Sequence, residues 1–139
     1  MNVSTSIRIE RLHTLDDLAV ADAHNSRRNV PGHANPSGQI VVLRGDGATA
    51  QSLLIRRLHE ARIRIPLRKR GLTRKRKERR QRIIGLNVLC AVGERFFRRV
   101  RPESWAKRTL EYLDGVFGAA NVLVVVLHLD ERVPHIHAI

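Results

Sequence analysis

The stretch NVLVVVLHLDERVPHIHAI (residues 121–139) decides the fold that we expect of this chain. Residues 121–130 form an almost unbroken apolar and β-branched run, which predicts a buried strand, and HIHAI at 135–139 predicts a second strand. The turn between them, DERVP, is too short for a crossover connection. The two strands should therefore pair as an antiparallel hairpin.

This hairpin should place three histidines together. Because side chains alternate across a strand, His135 and His137 point to one face while Ile136 points into the core. His128 ends the partner strand, and pairing across the turn brings its imidazole level with the other two. Three converging imidazoles with open positions are typical of a site for Mn, Fe, Co, Ni or Zn. The alternative is three surface histidines, but three in ten residues, against 7 in the whole chain, favour a metal.

Working outward from the hairpin, the chain alternates predicted strands and helices. We expect strands at 6–12, 39–43 and 83–92, and helices at 15–23, 49–65 and 103–117. Thr14 and Asp17 have the spacing of a helix-capping pair, and the single cysteine, Cys90, lies in an apolar run typical of a core. This order predicts one α/β or α+β domain. The strand at 135–139 ends the chain, so we expect it to fray.

The charge is concentrated in the middle of the sequence. The net charge is +13, and residues 51–108 carry 20 Lys and Arg against 4 Glu. A field this concentrated attracts a polyanion, and we expect nucleic acid. A membrane surface is disfavoured because the basic run lacks an apolar face, and a solvated loop that only aids solubility is the remaining alternative. The expected phosphate contacts in the run are Arg68, Lys69, Arg70, Arg74, Lys75, Arg76, Lys77, Arg79, Arg80 and Arg82.

Targeting and anchoring signals are missing from the sequence. No apolar run reaches the roughly 18 residues of a membrane span, and the first residues lack an apolar signal region. One cysteine cannot form a disulfide within the chain. We therefore expect a cytoplasmic protein without stable membrane insertion.

A phosphodiester held by a metal still needs a nucleophile. The candidates are metal-bound water, Tyr112 and a free histidine. Tyr112 should be buried or half-buried in the 103–117 helix. His24 should begin a polar loop directly after a helix, with Arg27 and Arg28 close enough to hold a phosphate. A histidine at a helix C-terminus is also favoured by the helix dipole alone.

Three segments resemble one known family. HLDERVPHIH (128–137) resembles the metal motif of the Mob/Pre proteins, the MobV class of plasmid mobilisation and recombination relaxases within the HUH endonucleases. HNSRRNVPGHANP (24–36) is similar to the family's N-terminal His-Asn, Arg and Asn-Pro motif. RKERRQRIIGLNVLCAV (76–92), followed by ERFF, looks like its central segment. The resemblance covers most of the chain.

The resemblance implies a bacterial relaxase that nicks and rejoins one strand at a plasmid origin of transfer. Its fold would be α+β, a central antiparallel sheet with flanking helices, and its partner would be single-stranded and duplex origin DNA. His128, His135 and His137 match the family's metal ligands, usually for Mn²⁺ or Mg²⁺. Glu131 matches an acid thought to act as base or support. His24 matches the nucleophile that gives a 5′-phosphohistidine, an acid-labile phosphoramidate.

This chain also departs from the family. Family members continue well past the histidine pair, so residues 1–139 are expected to be the N-terminal part of a relaxase domain, with a basic segment at 66–82. A homodimer would then form through regions that this chain does not contain. Two other functions stay open: a truncated homologue that binds DNA without cutting it, and a metallonuclease that uses metal-bound water.

Overall fold

Five strands and three helices make up most of the regular structure of residues 4–63 and 83–139, the part of the chain that the computed structural model describes. The strands are β1 (Thr5–Leu12), β2 (Ile40–Arg44), β3 (Gly85–Val92), β4 (Val125–His128) and β5 (His135–Ala138). The helices are α1 (Leu15–Asn25), α2 (Ala50–Glu60) and α3 (Pro102–Phe117), with 3₁₀ turns at Glu94–Arg98 and Ala119–Asn121. The expected order of elements is confirmed. The predicted basic segment, 66–82, lies outside the described residues.

The strands form one antiparallel sheet in the order β1-β3-β5-β4-β2. This confirms the α+β class and the central antiparallel sheet. Our expectation that the last strand frays is wrong, because β5 is the middle strand, bonded to β3 on one side and β4 on the other. Ile136 in its centre is 0% exposed. The backbone of β5 is hydrogen-bonded to a neighbouring strand on each side, and these bonds hold the strand in place although it lies at the end of the chain.

The two faces of the sheet are covered by different helices. On one face, α3 packs through Ala106 and Leu113 against the apolar residues of the hairpin, namely Val125, Leu127, Ile136 and Ala138. On the other face, α1 and α2 pack through Leu18 and Leu54 against Val124 and Val126. Cys90 is buried with the α3 layer, as predicted. Because side chains alternate between the two faces along β4 and β5, the three histidines of the hairpin lie on the face that α1 covers.

Several boundaries differ from the sequence prediction. The strand expected at 121–130 is only Val125–His128, because the Leu123 and Val124 N–H groups both donate to the Ile139 carbonyl rather than to a regular ladder. The helix expected to reach residue 65 ends at Glu60, and Arg62 adopts a left-handed φ of 56° beyond it.

The first and third helices each carry one correction. The capping box of Thr14 and Asp17 is present, but α1 runs two residues further than expected, so His24 lies in its last turn rather than in a loop. Tyr112 on α3 is 56% exposed, so the prediction that it is buried or half-buried is wrong. The α3 residues that pack inward are Ala106, Leu110, Leu113 and Phe117, and Tyr112 faces away from them. None of the helices in the described part of the chain is long and apolar enough to cross a membrane.

Candidate metal and nucleophile site

The pairing register of β4 and β5 brings three histidines together. His128 lies opposite His135, and His137 lies opposite Val126, two pairs further along and therefore on the same face. Residues that pair directly across antiparallel strands share a face. The centroid of the His128 ring lies 5.0 Å from that of the His135 ring and 5.1 Å from that of the His137 ring. The centroids of the His135 and His137 rings are 5.2 Å apart. The predicted convergence of the three imidazoles is observed.

Helix α1 adds a fourth imidazole. The His24 ring stacks on His128 with centroids 5.3 Å apart and meets the His137 ring edge-on at 4.8 Å. His24 follows the buried Ala21 by three positions, so both lie on the face of α1 that contacts the sheet. The Asp22 carboxylate fixes this helix against α2 by accepting the Ala50 N–H at 2.7 Å. His24 is thus held over the histidine face.

A buried ion-pair network lies beside the imidazoles. The Arg27 guanidinium donates from Nε and Nη2 to Asp130, both at 2.6 Å, and from Nη2 to Glu131 Oε1 at 2.7 Å. Burial alone would raise the pKa of both carboxyls, but the hydrogen bonds and positive charge of Arg27, joined at Glu131 by His33 and His135, together outweigh it and lower each pKa. Both acids are therefore ionised at neutral pH. Arg27, predicted to hold a DNA phosphate, binds two carboxylates of its own chain, whereas Arg28 is exposed and donates to Ser26 Oγ at 3.1 Å.

The loop between α1 and β2 is docked onto the turn that carries these acids. The Asn35 N–H donates to the Asp130 carbonyl at 2.5 Å, and the Leu129 N–H donates to the Gln39 carbonyl at 2.8 Å. Gly38 lies so close that a Cβ there would overlap Cα and Cβ of Asp130. Sequence reasoning missed Gly38, since nothing but its contact with a residue far along the chain reveals its role.

Sequence reasoning also assigned no role to His33 in this loop. His33 Nε2 lies 3.0 Å from Glu131 Oε2. Tyr112, the alternative nucleophile, lies on α3 behind the opposite face of the sheet. The sheet therefore separates the phenol from the imidazoles.

The environment favours the neutral form of His24, His128 and His137 by lowering the pKa of each. Burial, together with the nearby Arg27, lowers the pKa of His128 to about 3. Burial and the neighbouring His135 lower the pKa of His137 to about 3, and burial and Arg27 lower that of His24. A neutral imidazole has one nitrogen lone pair, which either binds a metal or attacks an electrophile.

The donor set fits a divalent transition metal. Both ring nitrogens of His128 are buried without a hydrogen-bond partner among the described residues, a costly state that a bound cation would relieve at one nitrogen. His135 Nδ1 lies 3.0 Å from the Val133 carbonyl, which can only accept, so Nε2 of that ring is free to bind. One ligand atom from each of His24, His128, Glu131 and His135 falls within a span of 4.8 Å.

Comparison with known proteins identifies the family. Residues 60–139 match the model of the Mob/Pre family, described as plasmid recombination enzyme. The chain belongs to the Mob/Pre family. The "Plasmid recombination enzyme type 1" of Staphylococcus aureus is 38% identical over 66 residues, which are 45% of this chain and 16% of that protein. The chain therefore spans a small part of the length of this curated relative.

Solved structures of a Mob/Pre relaxase domain share the fold. The Mn-bound MobM relaxase domain in complex with 22 nucleotides of plasmid pMV158 oriT DNA, at pH 5.5, superposes with a TM-score of 0.71 at 18% identity, over 96% of this chain and 68% of that one. Its complex with a 26-nucleotide oriT fragment gives a TM-score of 0.60 at 18% identity, over 96% and 66%. The Mob/Pre sequence match, over residues 60–139, includes the hairpin histidines and Glu131 but not His24.

Proposed function

We propose that this chain carries the active centre of a relaxase. It would nick and rejoin one strand of plasmid DNA at an origin of transfer, using a divalent metal and a covalent bond between His24 and the 5′ phosphate. The observation that carries the proposal is the His24 ring, brought by α1 to within about 5 Å of the His128 and His137 rings. Family membership, and a fold shared with a relaxase domain bound to oriT DNA, support the choice of substrate.

We assign His128, His135 and His137 as the metal ligands. All three project from paired strands in the middle of the sheet, where the backbone holds them rigidly. Imidazole donors suit Mn²⁺ better than Mg²⁺, and the MobM relaxase domain that shares this fold is Mn-bound. The metal, when bound, polarises a phosphate oxygen and stabilises charge in the transition state.

The group of possible ligand atoms that lie within 4.8 Å of one another contains His24 and Glu131 beside His128 and His135, but not His137. Our assignment differs because His24 comes from a separate helix, which leaves its lone pair free for attack. Mn²⁺ titration calorimetry decides between the two sets. We expect His137→Ala to weaken Mn²⁺ binding by about two orders of magnitude and His24→Ala to leave it within a few-fold. The reverse result would place His24 among the ligands.

In the nicking step, the neutral His24 nitrogen attacks the phosphorus. The N–P bond forms as the P–O3′ bond breaks, and the electron pair leaves on the 3′ oxygen, which takes a proton from solvent water to become a hydroxyl. The remaining N–H proton of the imidazolium passes to Glu131, whose carboxylate oxygen lies within 4.8 Å of a His24 nitrogen. Attack by a 3′ hydroxyl on the phosphoramidate reverses these steps and rejoins the strand.

The proposed DNA contacts outside the histidine cluster stay predictions. Arg28 is exposed next to the site, and the basic run at 68–82 lies outside the described residues. Phosphate contacts of this kind position DNA without reading its bases, so affinity should fall steeply with log salt.

The decisive experiment incubates labelled single-stranded origin DNA, from the plasmid that encodes this chain, with the purified chain and Mn²⁺ or EDTA. We expect an acid-labile protein–DNA adduct with Mn²⁺. His24→Ala should reduce adduct formation on the order of 10³-fold or more, because the nucleophile is lost, without changing the unfolding temperature. Tyr112→Phe, the matched control, should keep full activity.

Two results would contradict the proposal. Cleavage without an adduct, retained in His24→Ala, would indicate a hydrolytic nuclease. DNA binding without cleavage would indicate a homologue that has kept the motif but not the activity.

A further inference from the structure

His33, in the loop between α1 and β2, contacts the site through Glu131, and the proposed function gives it no role. Its Nε2 lies 3.0 Å from Glu131 Oε2. The His33 side chain is 71% exposed, whereas that of Glu131 is 14% exposed. An ion pair or hydrogen bond with one partner this exposed contributes little to stability. The contact with His33 therefore acts on the orientation of the Glu131 carboxylate rather than on stability.

The carboxylate of Glu131 is held at both oxygens. Oε1 accepts from Arg27 Nη2 at 2.7 Å and lies 3.8 Å from His135 Nε2. Oε2 accepts from His33. The terminal torsion of a glutamate is soft, with a broad range of angles. One donor on Oε1 leaves the carboxylate plane free to turn, and a second donor on Oε2 fixes it.

The position of His33 is set by the backbone rather than by its own side chain. A turn from Pro31 to Ala34, closed by the Ala34 N–H and the Pro31 carbonyl at 3.0 Å, contains His33. One residue after this turn, the Asn35 N–H is bonded to the Asp130 carbonyl at 2.5 Å. Asp130 is the neighbour of Glu131, so the same contact that docks the loop places His33 over the carboxylate.

We infer that His33 is a positioning residue for the nicking and joining reaction, because it holds the Glu131 carboxylate in the plane that receives the His24 proton. The consequence for rate rests on the proposed function. The contact itself does not, and the two are tested separately.

The rate is tested with His33→Ala, His33→Gln and the control His59→Ala, which removes an exposed histidine from α2. Single-turnover nicking of origin DNA in Mn²⁺ should slow about 10-fold in His33→Ala, at unchanged DNA affinity and unfolding temperature. His33→Gln keeps an N–H donor and should recover to within about 3-fold of the wild type. In a Glu131→Gln background, His33→Ala should add no further loss. Equal rates for His33→Ala and His59→Ala would overturn the inference, as would a loss of DNA affinity alone.

The contact is tested by NMR of the histidine rings in the metal-free chain, without reference to activity. Glu131→Gln should shift the His33 ring nitrogen signals, and His33→Ala should shift those of His135 while His33→Gln restores them. Unmoved His33 signals in Glu131→Gln would overturn the inference. A wild-type chain that shows these shifts but does not nick would instead overturn the proposed function and leave the His33–Glu131 contact in place.

Discussion

The two faces of the β4–β5 hairpin have opposite physical characters. Leu127 and Ile136 lie opposite each other on one face, fully buried against α3 without a polar atom in their side chains. His128 and His135, one residue along each strand, face α1, and both His128 ring nitrogens are buried without a partner in the described structure. The first face stabilises the fold, while the second removes polar groups from water at a cost. Four-residue strands thus combine a stabilising apolar layer with a polar layer of buried imidazoles.

The largest effect on stability should come from the apolar face. Ile136→Ala removes fully buried methyl groups from the central strand and should lower the free energy of unfolding by about 2–5 kcal/mol. Urea denaturation in EDTA measures this loss. Mn²⁺ affinity of the folded fraction should stay within a few-fold of the wild type. Ile7→Ala, at an exposed position on the edge strand β1, should change stability by no more than about 0.5 kcal/mol. A loss below about 1 kcal/mol in Ile136→Ala would contradict the division between the faces.

The polar face should respond in the opposite sense. His128→Leu replaces two unpartnered buried nitrogens with an apolar side chain of similar size, so the metal-free chain should unfold at the same or a higher temperature. The wild type should be stabilised by about 2.7 kcal/mol when free Mn²⁺ is 100 times its dissociation constant, and His128→Leu should lose this response. Thermal unfolding with and without Mn²⁺ measures both. A metal-free variant markedly less stable than the wild type would show that His128 stabilises the fold by packing.

The smallest effect for each residue is the pH dependence of the stability of the metal-free chain. The folded pKa of His128 and His137 is about 3, below the value of about 6.5 for an unfolded histidine. Between these values the unfolded chain binds protons that the folded chain does not, so stability falls as the pH drops from about 6.5.

Each imidazole contributes at most about 1.4 kcal/mol per pH unit to this slope. Denaturation in EDTA between pH 7 and pH 5, above the range in which the carboxyls titrate, measures it, and His128→Leu should flatten it. Equal slopes for the wild type and the variant would argue against a neutral, buried His128.

Local patterns in the sequence predicted most of the fold. The apolar run and short turn of 121–139 predicted the hairpin, and strand alternation predicted that its histidines share a face. Thr14 and Asp17 predicted the start of α1, where their capping box is present. These features follow from neighbouring residues, whose geometry the backbone sets directly. The ends of α1 and α2 were less predictable, since helix termini depend on contacts with other segments.

By itself, the sequence determined the order and approximate position of the strands and helices, and which histidines of the hairpin lie together. Only the tertiary structure decided that β5 is central, that Tyr112 faces solvent and that α1 carries His24 to the hairpin. It alone paired Arg27 with Asp130, residues separated by 103 positions, and placed His33 on Glu131. The physical reason is that periodicity gives each element an apolar face and a direction. Which elements then meet depends on how those faces bury one another across the whole chain.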